Sequence, residues 1–163
     1  MSHGVFLGAA DWRFPSWDDT FYPAGMPEEW RLAYYNTQFS CLWLPRATWS
    51  RLAPATVAEW LADTRDEFRF LLERDANHQD TEAVQACLAA FAPRPALLCG
   101  PDDPDVLWFD ADVDLRGLGD LLRRRAAESG ATYLLSRDGN LATLAKVNTL
   151  LGLLGLGPTG RVG

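Results

Sequence analysis

The stretch CLWLPRATWSRLAPATVAEWLADTRDEFRFLL, residues 41–72, decides the fold class. It begins and ends with short apolar runs, residues 41–44 and 68–72, which have the length and composition of buried strands. Between these runs, Pro54 is typical of the first turn of a helix. The apolar residues of that helix recur at i, i+3 and i+4, namely Val57, Trp60 and Leu61. A strand, a helix and a second strand in this order predict a βαβ unit with parallel strands.

The same alternation continues in both directions along the chain. Further strands are predicted at residues 5–8, 96–99, 106–109 and 132–135. Further helices are predicted at residues 27–38, 80–91, 114–129 and 141–154, with Asp80 and Asp114 as N-caps. The segment 100–105, GPDDPD, favours turns and is the one linker-like stretch inside the chain. We expect a single α/β domain over residues 1–154, followed by a flexible glycine-rich tail at 155–163.

The composition is that of a soluble globular protein. The chain has 163 residues, of which 48% are hydrophobic and 23% are charged. Its formal net charge of -7 repels phosphate backbones at long range, so nucleic acid is an unlikely partner. No stretch approaches the ~20 apolar residues of a membrane span, and the N-terminus lacks the pattern of a signal peptide. Three separate cysteines in apolar runs are typical of a reducing compartment, and we expect a cytoplasmic protein with no membrane association.

A series of short motifs built from aromatic, proline and glycine residues occurs in the first half of the chain. The series is Gly8-x-x-x-Trp12, Phe21-Tyr22-Pro23, Tyr34-Tyr35-x-x-x-Phe39, Phe68-x-Phe70 and His78. It resembles the YecE-like family (domain of unknown function 72), whose members look like TIM-type β/α barrels and whose biochemical role is not established. The resemblance therefore implies a fold and leaves the reaction open.

The chain is too short for a closed barrel of that type, which typically needs ~250 residues and rarely fewer than ~200. Against the family pattern, the missing part falls around residues 100–105. We therefore expect an incomplete TIM-type β/α barrel with about six parallel strands. An opened barrel exposes two edge strands, which invites pairing with a second chain or covering by a rearranged segment. We predict a homodimer through these edges.

Several polar positions of the family pattern are replaced in this chain. Where the family has Glu-Ile-Asn-Ser-Thr-Phe-Tyr, residues 43–49 read Trp-Leu-Pro-Arg-Ala-Thr-Trp, so the Glu and the Asn are lost. Glu73 stands where the family usually has a Lys, and Arg74 beside it restores a cation without a titratable amine. An expected Asn pair is replaced by Arg137 and Asp138. The positions that match mostly build a scaffold.

Candidate site residues follow the carboxyl ends of the strands, where barrel enzymes carry their reacting groups. The candidate catalytic residues are Asp11, Glu73 and His78, because His78 is the one histidine inside the fold and titrates near neutrality. It is either a general base or metal ligand, or a loop histidine that caps a helix. The candidate ligand-binding residues are Trp12, Arg46, Trp49, Arg74 and Arg137.

Asp110 and Asp112 are the candidate metal ligands, since Asp110-x-Asp112-x-Asp114 is similar to an oxygen-ligand site for Mg²⁺ or Ca²⁺. The pattern lacks the later glycine and glutamate of a calcium loop, so solvated turn carboxylates are the competing interpretation. Trp12 and Trp49 equally fit an aromatic pocket for a small molecule or plain packing.

Two functional hypotheses follow. The favoured one is a divergent, non-catalytic module that binds a small molecule or a partner and needs no cofactor. The alternative is a metal-assisted hydrolase or lyase that uses His78 with Asp11, Glu73 and Asp110, and this reaction requires a divalent cation.

Overall fold

The computed structural model of the chain describes residues 3–74, 82–92 and 97–156. The strands are β1 (His3–Ala9), β2 (Cys41–Leu44), β3 (Arg69–Glu73), β4 (Leu97–Cys99), β5 (Val106–Phe109) and β6 (Gly130–Ser136). The helices are α1 (Glu28–Gln38), α2 (Arg46–Trp49), α3 (Pro54–Ala62), α4 (Glu82–Phe91), α5 (Leu115–Ala126) and α6 (Leu141–Leu154). A single 3₁₀ turn, Pro15–Trp17, lies in the β1–α1 connection. No helix within the described ranges combines the length and the apolarity that a membrane crossing requires.

All six strands form one parallel sheet in the order β4-β3-β2-β1-β6-β5, curled into a half-barrel. In a closed eight-stranded barrel each strand pairs with the next one along the chain, and the last pairs with the first. The observed order keeps that cyclic sequence and has one break, between β4 and β5. The predicted α/β fold class, with its incomplete barrel of six parallel strands, is confirmed.

The element boundaries differ from the predicted ones for local reasons. Strand β6 is longer than predicted because it pairs with β1 along its whole length, from His3–Gly130 to Ala9–Ser136. Phe68 lies outside β3 because its amide donates to the Arg65 carbonyl oxygen in a turn. Trp49, predicted to lie in a loop, belongs to the short helix α2. The predicted N-cap Asp80 and the predicted strand residue Ala96 lie outside the described residues.

The main hydrophobic core lies between the outer face of the sheet and the helices. Its centre is aromatic: Trp17, Tyr22 and Tyr35 are fully buried, and Trp17 stacks on Tyr35 at 6.1 Å between ring centroids. The Nε1 atom of Trp17 donates to the carbonyl oxygen of Gly139 at 2.7 Å, which ties the β1–α1 connection to the loop before α6. Buried aromatic side chains of this size dominate core energetics, which accounts for the scaffold character of the aromatic motifs.

A second, smaller apolar cluster fills the inner face of the half-barrel. Trp43 on β2 meets Trp108 on β5 edge to face at 5.1 Å, and Phe6 stacks on Tyr133 at 5.2 Å. Strands β2 and β5 are separated by two others in the sheet, so the Trp43–Trp108 contact spans the concave face. The inside of the half-barrel is therefore packed with side chains, as in complete barrels of this type.

Residues 100–105, here called the connector, link the two edge strands of the sheet. The connector is attached to three other elements: Arg74 after β3 donates to Asp103, Arg125 of α5 donates to the Pro104 carbonyl oxygen at 2.7 Å, and the Tyr133 amide of β6 donates to the Asp105 carbonyl oxygen at 2.8 Å. Trp108 Nε1 donates to the Pro101 carbonyl oxygen at 3.0 Å. These contacts hold the connector in place, while Leu98 on the β4 edge is 46% exposed. Pairing of the edges with a second chain stays a prediction.

Candidate functional site

The mouth of the half-barrel consists of the residues that directly follow the carboxyl ends of the strands. Strand β1 leads to Asp11, β2 to Arg46, β3 to Glu73 and Arg74, β5 to Asp110, and β6 to Arg137. Because all strands are parallel, these residues lie at one end of the sheet, as the sequence predicted. Their contacts determine which of them remain open to a ligand.

Glu73 holds the turn between β2 and α2. Its Oε1 atom accepts from the backbone amide of Arg46 at 2.9 Å, and its own carbonyl oxygen accepts from Trp49 Nε1 at 2.9 Å. Trp49 is fully buried, with the Arg46 guanidinium 5.0 Å from its ring centroid. Glu73 and Trp49 thus have structural contacts here, and their catalytic and ligand-binding roles stay predictions.

Asp11 orders the backbone that follows β1. Its Oδ1 atom accepts from the amides of Trp12 at 2.7 Å and Arg13 at 3.0 Å. Trp12 is 6% exposed, packs edge to face on Trp60 at 5.1 Å, and carries the Arg13 guanidinium on its ring at 4.3 Å. The Trp12 ring is thus already in contact with Trp60 and with Arg13, and its role in ligand binding stays a prediction.

His78 lies outside the described residues, so its placement relative to Asp11 and Glu73 stays a prediction.

Asp110 and Asp112, the predicted metal ligands, lie together in one turn. The Oδ1 atom of Asp110 accepts a hydrogen bond from the Asp112 amide at 2.9 Å. Within residues 3–74, 82–92 and 97–156, no group of three or more histidine, cysteine, aspartate or glutamate side chains is arranged to hold a metal ion. The metal role of Asp110 and Asp112 stays a prediction.

Arg74 is the cation of an ion pair. Its Nη2 atom lies 2.9 Å from Asp103 Oδ2, and the same carboxylate accepts from the Gly100 amide at 3.0 Å. The Gly100 amide and the Arg74 guanidinium outweigh the effect of burial and hold the pKa of Asp103 below its usual value. Arg74 therefore serves the connector, and its availability to a ligand depends on this pair.

Arg137 is the mouth residue with the most open guanidinium. It lies over the Trp108 ring at 5.1 Å from the centroid, is exposed, and makes no hydrogen bond through its side chain and no ion pair with any residue of the described part of the chain. Its neighbour Asp138 accepts from the amide of Asn140 in its own loop and from the amide of Ala111 in the β5–α5 loop, both at 3.1 Å. Burial raises the pKa of Asp138, but hydrogen bonds from the Asn140, Ala111 and Asp138 amides and from the Ser136 hydroxyl together outweigh it, and the net shift is downward.

Comparison with known proteins agrees with this geometry. The model of the family described as a protein of unknown function, DUF72, matches residues 6–109, which is more than half of the chain. The chain belongs to the DUF72 family. A comparison of this DUF72 chain with curated proteins gives no significant match.

Solved structures of DUF72 proteins share the fold. One from Thermotoga maritima superposes with a TM-score of 0.62 at 12% sequence identity, and the alignment covers 94% of this chain and 100% of that one. One from Enterococcus faecalis gives a TM-score of 0.58 at 10% identity and covers 95% and 99% of the two chains. At such low identities the likeness establishes the DUF72 fold and nothing about the reaction.

Two residues that contact the mouth are not predicted from the sequence. Trp108 is predicted only as a strand residue, although its alternation with Val106 on β5 places both on the inner face of the sheet. Asp103 lies in the segment 100–105, for which the sequence predicts only turns, and no local pattern distinguishes it from Asp102. The partner that selects Asp103 is Arg74, 29 residues away in sequence.

Proposed function

We propose that this DUF72 domain is a non-catalytic module that binds a small anionic molecule, carrying a carboxylate or a phosphate, at the mouth of the half-barrel. The observation that supports the proposal is the position of the Arg137 guanidinium over the Trp108 ring, 5.1 Å from the centroid. A guanidinium held over an aromatic ring by a cation–π contact still presents its N–H groups, which lie in one plane. That geometry matches the paired oxygens of a carboxylate or phosphate.

The packed interior supports a ligand position at the rim of the half-barrel. Arg137 lies over Trp108, and Trp108 in turn meets Trp43, which is 5% exposed. A ligand therefore rests on the aromatic layer instead of entering it. This supports a shallow site of modest affinity, in which Arg137 supplies the main electrostatic attraction within an otherwise acidic protein.

The hydrogen bonding of the mouth carboxylates supports binding over catalysis. Asp11, Glu73, Asp110 and Asp138 each accept a hydrogen bond from a backbone amide. The donor lies in the same loop for Asp11 and Asp110, and after a neighbouring strand for Glu73 and Asp138. A carboxylate fixed in this way orders the backbone, whereas a general base must reach the proton it removes. We therefore infer that these carboxylates order the loops around Arg137.

A thermal-shift screen tests the proposal. Purified protein is heated with phosphorylated sugars, dicarboxylates and divalent cations, since a ligand at ~100 times its Kd stabilises the folded state by roughly 2.7 kcal/mol. We expect anions to raise the melting temperature, and Arg137→Gln to remove the shift. Arg123→Gln is the matched control, because it removes the same charge from an exposed position on α5.

The screen also distinguishes the binding module from the alternative function, a metal-assisted enzyme. A shift that depends on a divalent cation and disappears in His78→Ala would favour a metal-assisted hydrolase or lyase and overturn the binding module. An anion shift that survives Arg137→Gln would place the site elsewhere and contradict the assignment to the mouth.

We also propose that two copies of the chain associate through the edge of β4, in a cytoplasmic setting. The support is Leu98 at the centre of this edge strand, which is 46% exposed. An edge strand with an exposed apolar side chain favours pairing with another chain.

A further inference from the structure

A cleft of about 380 Å³ opens between α1 and α6, on the outer side of the half-barrel and apart from Arg137. Helix α1 contributes Tyr34 and Gln38, four residues apart, and the facing side of α6 contributes Leu144 and Asn148, also four apart. Side chains at this spacing share one helix face, so each helix presents a continuous wall. The volume falls within the range of about 300–1,000 Å³ that is typical of small-molecule sites.

The cleft contains a cluster of aromatic rings fixed by mutual packing. Phe21 meets Tyr34 edge to face at 5.2 Å and lies nearly parallel to Phe39 at 5.5 Å. Phe39 is 8% exposed and packs in turn on Tyr35, which belongs to the main core. The apolar wall is therefore held in place before any ligand arrives.

Several polar groups that line the cleft make no hydrogen bond within the described part of the chain. Neither the Tyr34 hydroxyl nor the Asn148 amide hydrogen-bonds to any residue in the ranges that the structure covers. The side-chain amide of Gln38 donates through Nε2 to the Thr37 hydroxyl at 3.2 Å. The side-chain Oε1 atom of Gln38 makes no hydrogen bond within the same ranges. Together these groups offer both donors and acceptors to a ligand.

The charges around the cleft select against an ion. None of the described lining residues is charged. An adjoining cavity of about 310 Å³ shares Thr20 and Leu141 with the cleft and ends at Asp138, whose carboxylate repels anions. The ligand that fits is therefore neutral.

We propose that the α1–α6 cleft binds a neutral polyhydroxylated molecule of sugar size. The C–H face of such a molecule packs on aromatic rings, while its hydroxyl groups both donate to and accept from the side-chain amides of Gln38 and Asn148. This site is separate from the anion site at the mouth, and it differs from it in ligand charge.

The experiment is a titration followed by ¹H–¹⁵N NMR. The probes are glucose, galactose and myo-inositol, with gluconate as a negatively charged counterpart of glucose. Asn148→Leu removes the amide from an exposed helix position, and Gln85→Leu makes the equivalent change on α4 as the control. Both variants retain their helices, since leucine is a good helix former.

We expect at least one neutral probe to shift the signals of Tyr34, Gln38 and Asn148 at millimolar concentration. Asn148→Leu should weaken this binding about tenfold, as the loss of one or two hydrogen bonds implies. Gln85→Leu and Arg137→Gln should leave it unchanged. The proposal is overturned if no neutral probe shifts these signals, if gluconate binds the cleft as well as glucose does, or if Asn148→Leu binds normally.

Discussion

At the scale of single residues, Gly8 is paired with Cys41 where β1 and β2 lie too close for a side chain. A Cβ atom built there would lie 1.9 Å from the Cys41 carbonyl oxygen, and this oxygen belongs to the backbone. Gly8→Ala must therefore separate two central strands, and we expect a loss of about 3 kcal/mol or more in unfolding free energy, measured in urea.

Gly152→Ala is the matched control for Gly8. Nothing lies within 4 Å of a Cβ atom at this position on α6, so alanine should stabilise the helix by up to about 1 kcal/mol. Equal stability of wild type and Gly8→Ala would contradict the close approach of the strands.

Tyr35 is a second residue that joins β1 to β2. Its hydroxyl accepts from the Ala9 amide at 2.9 Å and donates to the Cys41 carbonyl oxygen at 2.7 Å. Burial, followed by the nearby Cys41 thiol, holds the pKa of Tyr35 well above its usual value, so the hydroxyl stays protonated and able to donate. Tyr35→Phe leaves two buried backbone groups unpaired, and we expect a loss of about 1–3 kcal/mol in chemical denaturation.

Tyr34→Phe is the control for Tyr35, because the Tyr34 hydroxyl makes no hydrogen bond in the described part of the chain. It should change stability little. A similar loss in both variants would show that the Tyr35 hydrogen bonds contribute nothing specific.

At the scale of elements, the connector joins β4 to β5 where two β/α units of a complete barrel are missing. Asp103 is central to it, since it accepts from Gly100 and from Arg74. The pKa of Asp103 is lowered in the folded state, so its stabilising effect is present above the usual aspartate range and is lost as the pH falls through the folded-state pKa.

Asp103→Asn should therefore destabilise the protein at neutral pH by about 1 kcal/mol, as expected for lost charge-assisted hydrogen bonds at a partly exposed site. The difference from wild type should shrink below about pH 4, and denaturant titrations across pH measure it. Asp102→Asn, an adjacent exposed change, should have little effect at any pH. A pH-independent difference for Asp103→Asn would rule out the proposed role of its charge.

The elements also show which features the sequence could predict. The alternation of strands and helices could be predicted because apolar periodicity is local, and residues 41–72 form the predicted strand, helix and strand. The short helix α2 and the exclusion of Phe68 from β3 were not predicted. The connector's contacts were not readable, because Asp105 meets Tyr133 and Pro104 meets Arg125 only after the sheet has curled. The same holds for the site. Strand ends could be predicted, but the contact of Arg137 with Trp108 joins the residue after β6 to a residue of β5.

At the scale of the whole molecule, the half-barrel has one break and two edge strands. The connector is bonded to β3, β6 and α5, yet Leu98 on β4 remains 46% exposed. If two copies pair through this edge, the protein sediments as a dimer at micromolar concentration and Leu98→Lys shifts it to a monomer, since an edge lysine opposes strand pairing. A wild-type protein that sediments as a folded monomer contradicts the dimer.

Under the proposed function, this shortened DUF72 domain binds an anion at its mouth without converting it. Isothermal titration calorimetry with the strongest anion from the thermal-shift screen tests both the binding and the absence of turnover, because binding gives heat that saturates whereas turnover gives heat that continues. We expect saturating heat that returns to baseline after each injection and an affinity at least about tenfold lower in Arg137→Gln. Continuing heat flow, or equal affinity in Arg137→Gln, would contradict it.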